Sequence, residues 1–76
     1  MDLRGAVAVA RQQIEAAFAA SAPRDIRLEG FLYDDHLMVW SLTIGFAPSA
    51  SDGQERNYKI VRVSEANKTV LSIRDP

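Results

Sequence analysis

The one histidine of the chain follows two carboxylates, Asp34-Asp35-His36, a grouping that could hold a metal ion or move a proton. Either use needs side chains that converge on a point. Consecutive residues in a turn diverge instead, and the chain has neither a second histidine nor any cysteine to complete a coordination shell. The triplet therefore reads as a solvated turn, with no metal. Serines are available as nucleophiles, but a Ser/His/Asp arrangement needs a shaped pocket around it. A chain of 76 residues hides only about 60% of its unfolded surface and barely fills its own core. No catalytic residue and no cofactor is assigned. Gly5, Gly30, Gly45 and Gly53 are scattered, and none lies between a strand and a helix start to cradle a phosphate. Asn67-Lys68-Thr69 matches the glycosylation sequon, but is read more simply as part of a hairpin turn.

Two sets of residues could instead recognise a macromolecule. Arg27, Arg56, Lys59, Arg62 and Arg74 could gather into a basic patch, with Phe31, Tyr33 and Tyr58 as stacking surfaces for single-stranded nucleic acid. Glu29, Glu55, Glu65 and Asp75 fall among the same strands and cancel much of that field, which makes nucleic acid the weaker reading. The second set is apolar. Phe31, Tyr33, Val39, Val61 and Val63 are expected to point away from the core, and together they would make a patch that monomers rarely leave exposed. A protein partner or a second copy, forming a homodimer, would cover it.

The elements that must position these residues follow from hydrophobic periodicity. Leu3, Val7, Ala10, Ile14, Ala17 and Phe18 trace one stripe of an α-helix, with Asp2 placed to cap it and Ser21-Ala22-Pro23 to end it. After Pro23 the period changes to two. Ile26, Leu28 and Leu32 are expected on one face of a strand, with Arg27, Glu29, Phe31 and Tyr33 on the other and a bulge or bend at Gly30. The turn at Asp34-Asp35-His36 leads into Leu37 to Phe46, where Met38, Trp40, Leu42, Ile44 and Phe46 alternate with Val39, Ser41, Thr43 and Gly45. Ala47 to Gln54 is the longest connection. A third strand, Arg56 to Ser64, has apolar residues of both parities, which calls for a bulge or for cover on both faces. A turn over Glu65 to Lys68 and a last strand, Thr69 to Arg74, complete the chain.

One helix followed by four sequential strands predicts a single α+β domain over 1–76, two layers deep. In it the N-terminal helix packs on a four-stranded antiparallel β-meander. The helix stripe Leu3, Val7, Ile14 and Phe18 is expected to pack on Leu28, Met38, Trp40, Leu42, Ile44 and Ile60, leaving the other sheet face open. A single helix, about 10 Å wide, cannot cover four strands.

Apolar residues make up 47% of the chain, but eleven of them are alanines, so large core side chains are few. The net charge of −1 argues against nonspecific binding to nucleic acid or to an anionic membrane. No run approaches the roughly 20 apolar residues of a membrane span. The cytoplasm is the expected address, and no membrane partner is expected.

The segments Tyr58-Lys59-Ile60-Val61-Arg62-Val63 and Ala66-Asn67-Lys68-Thr69-Val70-Leu71-Ser72-Ile73 resemble the closing hairpin of PepSY-like domains, with Asn67-Lys68 where the usual turn glycine stands. The resemblance implies a PepSY-like or cystatin-like helix-on-sheet fold used for binding, sometimes as an inhibitory or regulatory module. It carries no catalytic residue onto this chain. The expected function is a small non-enzymatic interaction module that binds a partner protein, or itself, through the open sheet face. One alternative is an inhibitor or immunity-type protein that blocks an enzyme through Asp34, Asp35 and the Ala47 to Gln54 loop. The other is a single-stranded nucleic-acid binder.

Overall fold

The structure, a computed structural model, describes residues 1–48 and 56–76. Residues 49–55, most of the Ala47 to Gln54 connection, lie outside the described residues.

Helix α1 spans Leu3–Ala17, and the Asp2 carboxylate accepts the Gly5 N–H at 2.8 Å, satisfying one of the donors a helix start leaves free. A short 3₁₀ turn, Ala19–Ser21, and a left-handed Ala22 turn the chain into the sheet. The strands are β1 (Arg24–Asp34), β2 (Val39–Ala47), β3 (Asn57–Ser64) and β4 (Thr69–Arg74), antiparallel in the order β1-β2-β3-β4. The architecture is therefore an α+β meander with one helix on one face.

The helix approaches the sheet through its smallest residues. Ala6, Ala10 and Ile14 are its fully buried side chains, while Leu3, Val7 and Phe18 are only partly covered and Ala17 is exposed. Opposite them lie Leu42, Ile44, Phe46, Val61 and Val63, with Val70 and Ile73 at the margin. The Phe18 and Phe46 rings meet at 5.2 Å between centroids. The helix lies over β2, β3 and β4. It also meets β1: the Arg11 guanidinium donates to the Ile26 carbonyl at 2.9 Å, and Ile26 and Leu28 pack against the core.

Beyond a first irregularity between Arg24 and Arg27, two further shifts set which side chains face the helix. Between Leu28 and Gly30 the β1–β2 register shifts, so Leu28 pairs with Ile44 and Phe31 with Leu42. Partners in an antiparallel pair share a face, so Leu28, Phe31 and Tyr33 all stand on the helix side and Leu32 on the open side. A bulge at Gly30 matches expectation, but its consequence reverses the predicted faces beyond it. A second shift, between Arg62 and Val63, inserts Leu71 into β4 and brings both Val70 and Ile73 to the helix side. In β3 the register with β2 is unbroken, so Ile60, opposite Thr43, faces away from the helix. The expected place of Ile60 in the helix-facing core is thus corrected. So is that of Met38, which is the last residue of the β1–β2 turn, with φ 55 and an exposed side chain.

Candidate interaction surface

The apolar set read from the sequence does not form one surface. Val61 and Val63 are 0% exposed beneath the helix, because β3 alternates without a bulge and gives its valines to the core. Val39, paired between Asp34 and Ser64, is also buried. Phe31 and Tyr33 are exposed, but on the helix side of the sheet.

Around Trp40 the two aromatics form a cluster. Its ring lies 4.6 Å from that of Tyr33 and 6.4 Å from that of Phe31, centroid to centroid. The indole N–H donates to Glu65 Oε2 at 2.6 Å, and the α-amino group of Met1 sits 2.8 Å from the other oxygen of the same carboxylate. Hydrogen bonds from that amino group and from Trp40 hold the Glu65 carboxyl below its ordinary range. The Tyr33 phenol is pushed up by desolvation and by the nearby carboxylates of Glu65, Asp35 and Asp34. The Trp40 ring is thus fixed from below by an ion-paired carboxylate, while Phe31 and Tyr33 flank it.

Exposed apolar side chains concentrate at this end. Phe31 is 57% exposed, Leu32 69% and Leu37 61%, with Tyr33 and Met38 beside them in the chain. These five span the end of β1 and the turn after it. Toward the other end of β1, a shallow depression of about 520 Å³ between strand and helix is lined by Asp2, Leu3, Arg4, Val7 and Leu28.

Family models, curated proteins and solved structures return no match to this chain.

The five basic residues also separate. Arg27 and Arg56 converge on the Asp25 carboxylate at 2.7 and 3.0 Å, and the Arg27 hydrogen bond is the largest cause holding the Asp25 carboxyl below its usual value. Lys59, opposite Ile44, faces the helix side, where it pairs with Asp75 and lies 5.6 Å from the Phe18 ring centre. Only Arg62 and Arg74 share the open face without one of these ion pairs, opposite Ser72 and Ile60. On that face Tyr58 covers Gly45, with its ring Cε1 3.0 Å from where a Cβ at residue 45 would stand.

The Asp34-Asp35-His36 triplet is a turn, with Asp34 Oδ1 accepting the backbone N–H groups of His36 and Leu37 at 3.0 Å each. Among the described residues no three His, Asp or Glu side chains gather closely enough to hold a metal ion. Nor is any described helix long and apolar enough to cross a membrane.

Sequence reasoning missed Glu65, Leu32 and Leu37. A signal existed for Glu65: a covered indole N–H needs an acceptor, and Glu65 is two residues past Val63, the partner of Trp40. Leu32 and Leu37 look like ordinary strand residues, and only the bulge and the turn place them outside.

Proposed function

We propose that this chain is a non-enzymatic protein-interaction module that binds through the end of β1 and the turn after it, not through the centre of the open sheet face. The observation that carries this reading is the concentration of exposed Phe31, Leu32, Tyr33, Leu37 and Met38 in one stretch of eight residues, with Phe31 and Tyr33 packed on the fixed Trp40. Exposed apolar side chains gathered in this way favour contact with another polypeptide. The PepSY-like resemblance of the second half supports a binding role as well. A nucleic-acid role is less well supported, because Arg27 and Arg56 share one aspartate and Lys59 lies on the other side of the sheet. The cytoplasm is the address we propose, and fractionation of cells producing the tagged chain tests it.

Peptides selected from a display library against the native chain, and counter-selected against a Phe31→Glu, Leu37→Glu variant, test the site. Trp40 is the only tryptophan, so its fluorescence reports directly on this end. The selected peptides should shield Trp40 from acrylamide quenching in the native chain and not in the variant. Binders that engage both chains equally and leave Trp40 accessible would refute the proposed site.

A further inference from the structure

Strand β1 is an edge strand of 11 residues, with no described strand along its outer side. Natural edges are guarded against pairing by charge, bulges or cover. The first half of β1 has such guards: Arg24, Asp25, Arg27 and Glu29 precede the bulge, and Arg11 reaches across from the helix. The second half has none. Gly30-Phe31-Leu32-Tyr33 carries no charge, follows a regular register against β2, and exposes large apolar side chains on both faces of the sheet. A partner that covered only one face would leave Leu32, or else Phe31 and Tyr33, in water. A strand added along the edge covers both.

On the reading that this end of β1 is the binding site, we infer that its partner is the same strand of a second copy, paired antiparallel about a two-fold axis at Leu32 to give a continuous eight-stranded sheet. The register is set by chemistry. With the axis perpendicular to the sheet, helix-side residues meet helix-side residues, so only shifts of two residues are allowed. Centred on Leu32, Phe31 faces the partner's Tyr33 on the helix side and Leu32 faces its own copy on the open side. A centre at Phe31 sets Leu32 against Gly30, which has no side chain, and a centre at Tyr33 sets Leu32 against Asp34. Only the Leu32 centre matches apolar with apolar on both faces.

The same register brings Asp35 of each copy toward Glu29 of the other, so like charges oppose the pairing at its ends and weaken it. Five residues per strand make a small interface, below the roughly 1,200 Å² of a standard complex, so dimers should form only at high concentration, about 10 to 500 µM.

The test is sedimentation over that range together with cysteine cross-linking, which is clean because the native chain has no cysteine. A single cysteine bonds to its own copy only near the axis, so Leu32→Cys should give a disulfide dimer on oxidation and Thr43→Cys, on the open face, should not. Leu32→Lys should remain monomeric throughout while keeping native circular dichroism, since Leu32 makes no core contact. A native chain that stays monomeric at every concentration overturns self-pairing and leaves the peptide-selection test to decide the site. A dimer lost in Leu37→Glu but not cross-linked through Leu32→Cys overturns the edge register and keeps the site. Cross-linking through Thr43→Cys with dimers intact in Leu32→Lys overturns both.

Discussion

Ala10 should be the least replaceable residue of the helix despite its size. It is 0% exposed, as is Ala6 one turn earlier, and together they set the distance between α1 and the Leu42–Val61 layer of the sheet. Ala10→Leu adds three carbons where no solvent reaches, so the helix must lift or its neighbours must leave their rotamers, at about 1–3 kcal/mol. A domain of this length holds about 4–11 kcal/mol in total. The loss should therefore lower the melting temperature by about 5–20 °C. Ala8→Leu, on the exposed side of the same helix, is the matched control and should stay within about 0.5 kcal/mol. Thermal and urea unfolding followed by far-UV circular dichroism give both numbers. An Ala10→Leu chain as stable as the native one would refute the packing described for the helix, and destabilisation by Ala8→Leu alone would mean that α1 is rotated.

Val63→Ala should cost about 2 kcal/mol and Phe31→Ala less than about 1 kcal/mol in urea titrations, because Val63 is fully buried and Phe31 more than half exposed. Equal costs would contradict the separation of these two residues between core and surface. Gly45→Val should destabilise the fold by pressing on Tyr58, Glu29 and Arg56. The cost should fall in a Tyr58→Ala background, with a coupling of at least about 0.5 kcal/mol in the double-mutant cycle. For pH, the Glu65 carboxyl is lowered in the fold, so its stabilising contribution is complete above the ordinary glutamate range and disappears as pH falls through the lowered value. The native chain should exceed Glu65→Gln in stability at neutral pH, with the gap closing in acid. A gap that persists unchanged at low pH would show that the carboxylate charge is not what holds Trp40 and the amino terminus.

The predicted elements agree with the structure because each rests on local signals. The period of the helix, the Asp2 cap, the Asp34 turn and the alternation of β2 are all properties of neighbouring residues, and neighbours suffice to fix them. The burial of Leu42, Ile44 and Phe46 was legible for the same reason. The candidate surface was legible only in part: Phe31 and Tyr33 are at the surface, Val39, Val61 and Val63 are not, and Leu32 and Leu37 were not singled out.

What the sequence by itself determined is the order and kind of the elements and the identity of the large core residues on β2. Which side of the sheet each residue of β1 and β4 occupies was decided by tertiary structure, through register shifts at Arg24/Arg27, Leu28/Gly30 and Arg62/Val63. A side-chain period of two carries no memory across an inserted residue, so one bulge exchanges inside and outside for everything after it. The helix made the other decision. By settling on Ala6 and Ala10 over β2, β3 and β4 it left Phe31 and Tyr33, at the far end of β1, exposed on its own side of the sheet.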